Sequence, residues 1–349
     1  MTMRIGRREI GSGQRPFIIA EMSANHGQSL DHALRIVEAA AWAGVDAIKL
    51  QTYTADTMTI DCDAPDFLIT DPKSLWHGQT LYGLYQRAYT PWEWHEPIFR
   101  KARQLGLEAF SSPFDEQAVD FLEGLDVPAY KIASFENNHL LLIRKAAATG
   151  KPMILSTGVA SLADLEEAVS TARQAGCRDL VLLRCSSAYP ADPADIHLAT
   201  IPHLRDLFQV EVGLSDHTLG VGVAVAAAVL GATVIEKHFT LSRADGGPDA
   251  AFSMEPSEMK QLVQETTRAS QAVGRVNYAL SDREQASSAF RRSIYAVRDI
   301  PAGTSLTREN IGVIRPGHGL APKYFERILG RRSREPIPRG TPLRWEVIQ

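Results

Sequence analysis

Short apolar runs of strand length alternate along this chain with longer stretches in which apolar residues recur every three to four positions. The runs are Phe17–Ala20, Ala47–Leu50, Leu107–Phe110, Ala129–Ala133, Pro152–Leu155, Leu180–Leu183, Val210–Gly213 and Thr233–Glu236. Between the first two, Ala33, Ile36, Val37 and Ala40 mark one face of a helix near Leu30–Trp42. Ser161 followed by Asp164 opens a further helix over Leu162–Ala175 in the manner of a capping box. Eight such units in about 270 residues predict an α/β fold of the (β/α)8 TIM-barrel type, for which roughly 250 residues are typical. An open doubly wound sheet is the alternative, but it usually has fewer strands.

The second unit carries an insertion from Tyr53 to about Tyr89, with Trp76, Tyr82, Tyr85 and Tyr89 in it. A segment this long over a barrel mouth reads as a lid or substrate wall. Its aromatics either line a sugar site or pack the insertion onto the barrel. The pattern changes after Gly274, which predicts a barrel domain over 1–275, a polar linker or short helix over 276–290 and a small β-rich domain over 291–349. This tail has an internal echo. Ile300-Pro-Ala-Gly-Thr-Ser-Leu-Thr-Arg-Glu-Asn-Ile311 matches Ile337-Pro-Arg-Gly-Thr-Pro-Leu-Arg-Trp-Glu-Val-Ile348 in register at Ile, Pro, Gly, Thr, Leu, Glu and the final Ile. Pro-x-Gly makes a tight turn between extended segments. So small a domain buries little core alone, so it is expected to dock on a barrel, in cis or from a second subunit.

Composition narrows the function classes. A hydrophobic content of 44% and a charged content of 22% are ordinary for a globular protein. A net charge of −4 gives no electrostatic footprint for nucleic acid. The most apolar run, Val221–Leu230, is too short to cross a bilayer, and the basic, polar start lacks a secretory h-region. Cys62, Cys177 and Cys185 are odd in number and widely spaced, which argues against a disulfide framework. No nucleic-acid or membrane partner is expected, and the expected location is the cytoplasm.

The carboxyl ends of the apolar runs carry the chemistry, since ligands of parallel α/β folds bind there. In chain order these ends offer Glu21, Asn25 and His26; Lys49 and Gln51; Ser111 and Ser112; Lys131, Ser134 and Glu136; Ser156 and Thr157; Ser186, Ser187 and Tyr189; Ser215, Asp216 and His217; Glu236, Lys237 and His238. Packing alone does not call for such a set. Lysines with hydroxyls and backbone N–H groups suit a phosphate or phospho-carboxylate. Paired imidazoles at His217 and His238 suit a divalent ion that polarises a carbonyl. The alternative is that both rings only satisfy local hydrogen bonds. Glu21 can relay a proton. The set points to a metal-assisted reaction between a phosphorylated anion and a carbonyl compound. A rival is a Schiff-base aldolase using Lys49 or Lys131, a mechanism that has no need of the two histidines.

Ile18-Ile-Ala-Glu-Met-Ser-Ala-Asn-His26, Lys49-Leu-Gln-Thr52, Ser112-Pro-Phe-Asp115, Tyr130-Lys-Ile-Ala-Ser134, Leu155-Ser-Thr-Gly158, Gly213-Leu-Ser-Asp-His217 and Glu236-Lys-His-Phe239 together resemble the sialic acid synthase family, and the tail resembles that family's antifreeze-like (SAF) domain. Ser23-Ala-Asn-His26, Leu50-Gln-Thr-Tyr-Thr54, Thr90-Pro-Trp-Glu-Trp-His95 and Cys185-Ser-Ser-Ala-Tyr-Pro190 look most like the branch that makes pseudaminate. The resemblance implies condensation of phosphoenolpyruvate with 2,4-diacetamido-2,4,6-trideoxy-L-altrose, releasing phosphate by C–O cleavage. N-acetylneuraminate or legionaminate synthesis on the same scaffold is the alternative, and a non-catalytic sugar-binding barrel is a more remote one.

The resemblance also implies roles for single residues. His217 and His238 match the metal ligands, with Mn²⁺ the expected ion and Mg²⁺ or Co²⁺ as other candidates. Lys49, Lys131, Ser134, Ser156 and Ser215 match contacts to phosphoenolpyruvate, and Ser112 stands where relatives carry Thr. Glu21 matches a carboxylate that handles protons or water. Gln51, Phe114, Tyr189 and Asp249 match positions around the sugar. Arg315 matches an arginine that the SAF domain of one protomer brings to its partner's site, which implies a homodimer. Ser187 departs from the Asn of N-acetylneuraminate synthases and faces the substrates, which argues for a different sugar. Gly27 departs from an Asn, a change of little expected consequence beside the polar Gln28.

Overall fold

Ten strands of the computed structural model, which describes residues 2–349, belong to a first unit ending at Gly274; two more belong to a second unit, Arg275–Gln349. The first two, β1 (Thr2–Ile5) and β2 (Arg8–Gly11), pair as an antiparallel hairpin that the apolar pattern above does not single out. The next eight are β3 (Phe17–Glu21), β4 (Ala47–Thr52), β5 (Glu108–Pro113), β6 (Tyr130–Ile132), β7 (Met153–Ser156), β8 (Leu180–Cys185), β9 (Glu211–Asp216) and β10 (Val234–His238). They are parallel and close into a barrel in sequence order, with β10 beside β3. The predicted eight-stranded TIM-type barrel is therefore the observed fold.

Several strands run further toward the carboxyl end than their apolar cores suggest. Polar residues such as Gln51, Ser111, Ser112, Ser156, Ser215 and His238 are thus held by strand backbone rather than by loops. Gly213 allows β9 and β10 to lie close, since a Cβ there would collide with the Val234 carbonyl.

Helices wrap the barrel for the reasons legible in their ends. In Leu30–Ala43 the Ser29 side chain accepts from His32 N at the start, and Gly44 ends it at φ 84°. Its face Ala33, Ile36, Val37 and Ala40 is buried. The helix Leu162–Gln174 has the expected Ser161/Asp164 capping box. The β1–β2 hairpin buries Met3, Ile5 and Ile10 in the barrel's own core. Its turn is tied to the amino end of β5 by the Arg7 backbone N–H, which donates to Glu108 at 3.0 Å. Arg8 and Arg15 pair with Asp46, just before β4, at 3.0 and 2.7 Å. The hairpin therefore lies against the amino ends of the strands, leaving the carboxyl ends for ligands. Among the described residues no helix is long and apolar enough to cross a membrane.

The second unit holds β11 (Ser293–Ala296) and β12 (Ile311–Ile314), antiparallel, and a small core of Ile294, Ile300, Leu306, Ile311, Ile337, Leu343 and Ile348. The sequence echo has a structural meaning. Ile300 and Ile337, the first residues of the two copies, exchange backbone hydrogen bonds at 2.9 and 2.8 Å. Gly303 and Gly340 make the same left-handed turn, at φ 76° and 87°. Thr304 and Thr341 each donate to the preceding proline carbonyl at 3.2 Å. The segment before this core, read above as a linker or short helix, contains the helix Asp282–Ser287.

Candidate active site

Period-two alternation decides which side chains of β9 and β10 share a face. Ser215 falls with Glu236 on one face, while Asp216 and Lys237 pair on the other. Lys49 from β4 and Lys131 from β6 reach the Ser215 face too. The result is a buried charge cluster. Lys49 Nζ lies 2.5 Å from Glu21 and 3.7 Å from Glu236, and donates to Ser112 Oγ at 3.2 Å. Lys131 Nζ lies 3.8 Å from the other oxygen of Glu236 and donates to Ser156 Oγ at 2.7 Å. Ser215 Oγ donates to Glu236 at 3.1 Å, and Gln51 donates to Glu21 at 3.0 Å. Glu236 is thus the hub between the two lysines.

The protonation behaviour follows from burial and charge. Burial lifts the Glu21 carboxyl to about 7, against the pull of Lys49. For Lys49, burial lowers the pKa, but Glu21 and Glu236 outweigh it and hold the ammonium charged. Lys131 is pushed below its ordinary value by burial, which Glu236 offsets only in part. Burial alone would raise Glu236, yet the two lysines keep it low. An anionic substrate brought beside these lysines would meet ammonium donors in a dry setting, with Glu236 already balancing part of their charge.

Beside the cluster, the rings of His217 and His238 lie 5.3 Å apart between centroids. Tyr189 packs 4.4 Å from His217, and Phe252 packs 4.9 Å from His238. His217 Nδ1 donates to the Ser186 carbonyl at 2.8 Å, so in the neutral ring Nε2 carries the lone pair. Its pKa is lowered by burial but raised overall by Cys185 Sγ, 4.0 Å away, and the Ser186 carbonyl. The same contact carries the Cys185 thiol, against burial, down to about 7. His238 is held neutral by burial and by the neighbouring cations, and its Nδ1 is buried without a hydrogen bond. Two imidazoles side by side, His238 with an orphaned nitrogen and His217 fixed through its Nδ1, suit a divalent ion, which would displace the proton from His217. Among the described residues no group of three or more His, Cys, Asp or Glu is disposed to hold one.

Above this floor opens a cavity of about 490 Å³. Gln51, Phe114, Ser134, Ser187, Tyr189, His238 and Asp249 line it. Burial raises Asp249, whose carboxylate accepts from Ala24 N at 3.4 Å. Glu21, Lys49, Ser112, Lys131, Ser156, Ser215 and His217 are buried among the floor contacts just described. Arg315 belongs to the second unit and is exposed there.

The structure separates residues that residue type alone could not. Glu136, one of the polar residues after the fourth apolar run, lines the cavity with Oε2 free of hydrogen bonds, and burial lifts it to about 7. Glu236 was legible only through its spacing, two residues before His238. Asp216 orients rather than acts, because it is spent on Lys237 and Thr218. His26 does not reach the cavity lining. It accepts from Gln28 N at 3.1 Å and meets Thr90 Oγ1 at 3.2 Å, so it anchors the end of the insertion. The insertion's aromatics divide. Trp76 and Tyr85 line the cavity, whereas Tyr82 bonds Asp56 and the Tyr89 carbonyl accepts from Gln28.

Comparison with known proteins agrees with this geometry. The NeuB family model matches residues 36–278, and the SAF domain model matches 291–349. The chain is 42% identical over 337 residues to the pseudaminic acid synthase of Helicobacter pylori, covering 96% of this chain and 98% of that one. It is 38% identical over 352 residues to the N,N'-diacetyllegionaminic acid synthase of Legionella pneumophila, covering 99% and 98%. The crystal structure of N-acetylneuraminic acid synthetase from Leptospira borgpetersenii superposes with a TM-score of 0.73 at 30% identity, over 82% of this chain and 95% of that one. With its lysine and histidine floor at the carboxyl end of a closed barrel, and a SAF domain after it, the chain belongs to the NeuB family of synthases.

Proposed function

We propose that this chain condenses phosphoenolpyruvate with 2,4-diacetamido-2,4,6-trideoxy-L-altrose and water, giving pseudaminate and phosphate, the activity of a pseudaminic acid synthase. The observation that carries the reading is the pairing of Lys49 and Lys131 across Glu236, next to His217 and His238, on the floor of one cavity. The likeness to the Helicobacter pylori enzyme over nearly the whole chain supports this sugar over its relatives.

Lys49 and Lys131 hold the phosphate and carboxylate of phosphoenolpyruvate, with Ser112, Ser134, Ser156 and Ser215 as short-range donors. Gln51, Phe114, Ser187, Tyr189 and Asp249 seat the sugar with its aldehyde toward the floor. A divalent ion on His217 and His238, Mn²⁺ before Mg²⁺ or Co²⁺, would supply Lewis-acid polarisation of an aldehyde oxygen. The C=C pair of phosphoenolpyruvate bonds carbon 3 to the aldehyde carbon, whose oxygen takes up a proton and becomes a hydroxyl. Water adds at carbon 2, the C2–O bond to phosphate breaks, and the remaining water proton leaves with phosphate as the keto group forms. Glu21, poised at about 7, takes the proton of that water. The lysines stabilise negative charge on the substrate from start to finish.

The protein works as a cytoplasmic homodimer in which the SAF domain of one protomer brings Arg315 to the partner's sugar. Phe135, Val159 and Leu219 support this, being exposed apolar side chains in the segments that follow β6, β7 and β9, with Leu162 exposed at the start of the helix after β7. The test is phosphate release from phosphoenolpyruvate with the altrose-derived sugar, the legionaminate precursor and N-acetylmannosamine, followed by product mass. Preference for either of the last two sugars overturns the assignment. Transfer of the bridging ¹⁸O of phosphoenolpyruvate into the sugar acid would sink the C–O cleavage.

A further inference from the structure

The cavity over the floor has two unlike sides. The barrel supplies polar groups, among them Gln51, Glu136, Ser187 and Asp249. The insertion supplies Met58, Ile69, Leu81 and Leu84, with Trp76 and Tyr85 beside them. This apolar side is braced. The Tyr85 ring meets Tyr53 edge-on at 5.8 Å, and Tyr53 meets Phe114 at 5.1 Å. Trp76 donates its one polar hydrogen away, to the Pro248 carbonyl at 3.0 Å, so its ring is left to line the cavity. Two polar residues, Asp71 and Ser74, also line this side, and each accepts a bond within its local turn. Ser74 Oγ accepts from Trp76 N at 3.2 Å, and Asp71 Oδ1 accepts from Lys73 N at 2.9 Å.

An open-chain sugar whose aldehyde lies at the lysine and histidine floor extends its other end up the cavity. We infer that the insertion side, through Met58, Ile69 and Leu81, selects a 6-deoxy sugar by receiving the terminal methyl carbon and leaving a terminal hydroxyl without a partner. The inference rests on the proposed condensation, because that reaction fixes which end of the sugar faces the floor. All three side chains are half-buried, so a ligand can reach them. An apolar pocket rejects a ligand that adds one hydroxyl by at most about 100-fold. The unmodified chain should therefore favour the 6-deoxy sugar by roughly 10- to 100-fold in kcat/KM.

The experiment compares the trideoxy diacetamido sugar with its 6-hydroxylated counterpart, which differs by one oxygen, in phosphate release. Met58→Gln and Ile69→Thr, made singly and together, give the apolar side a polar partner. The expected result is a fall of the preference to below about fivefold in the double variant, with KM for phosphoenolpyruvate unchanged. A preference that stays the same in folded variants overturns the inference while leaving the condensation standing. No turnover of either sugar by the unmodified chain sinks the proposed reaction and the inference together. Turnover of both at equal rates sinks the inference alone.

Discussion

The Lys237 ammonium lies 2.7 Å from the Asp216 carboxylate, and both side chains are buried. Each neighbours one of the paired imidazoles in sequence. Asp216 also accepts from Thr218 N and Oγ1 at 2.9 and 2.8 Å, and Lys237 donates to the Thr218 carbonyl at 2.5 Å. The pair therefore clamps the turn carrying His217 to the strand carrying His238. Asp216→Asn leaves Lys237 buried without a counter-ion, which costs about 3–5 kcal/mol. The joint change Asp216→Leu with Lys237→Met should recover most of that loss, since an apolar pair avoids desolvating charge. Urea unfolding reads both. Equal stability of Asp216→Asn and the unmodified chain would show that the clamp holds nothing.

His217 and His238 are expected to govern metal dependence. Chelation with EDTA should abolish phosphate release, and Mn²⁺ should restore it. His238→Ala should weaken Mn²⁺ binding by about tenfold or more in calorimetry, while the fold survives. Undiminished Mn²⁺ affinity in both His217→Ala and His238→Ala would place the ion elsewhere.

Lys131 is buried with a lowered pKa, beside Glu236 and Ser156. Lys131→Met should lower kcat/KM for phosphoenolpyruvate by about 10²–10³, the scale seen for removing one preorganised stabilising donor. A lowered pKa is also what a Schiff-base amine needs. Borohydride treatment in the presence of the sugar should leave the chain mass unchanged, and a trapped adduct on Lys131 would revive the aldolase reading.

His26 and His95 set an acid limit on stability. Burial lowers each to about 4, and the faint repulsion between neighbouring imidazoles adds to it. His26 faces Thr90, Trp94 and the Gln28 backbone. His95 faces Thr52, the Pro91 carbonyl, Phe99 and Phe121. A depressed histidine pKa means that the unfolded chain binds the extra proton between about 6.5 and 4. This contribution is intact above 6.5 and is lost as pH falls toward 4, on the order of 3 kcal/mol for each ring. Glu21 and Glu136 have raised pKa values and act in the opposite sense over this range. The measurement is therefore the difference between the unmodified chain and His26→Gln in urea midpoints at pH 7.5 and 4.5. The variant should lose less on acidification, and parallel losses would count against the assignment.

Local periodicity was enough to read the barrel, because eight apolar strand cores and their capped helices each declare themselves within a few residues. It also placed Lys49, Lys131, His217 and His238 near the right ends of their strands. The echo of Ile300–Ile311 in Ile337–Ile348 was visible as text. That its two first isoleucines would hydrogen-bond to each other was not. Three further features needed the closed structure. Glu236 becomes the bridge between two lysines only when β4, β6 and β10 curve around one interior. Asp216 and Lys237 turn away from that interior although they sit beside the imidazoles, since alternate side chains of a strand point to opposite faces. Trp76 and Tyr85 face the cavity while Tyr82 and Tyr89 hold the insertion in place. Spacing along a chain fixes which face a side chain takes, but the partner it meets there is set by strands distant in sequence, and it is those long-range meetings that decide charge, burial and chemistry.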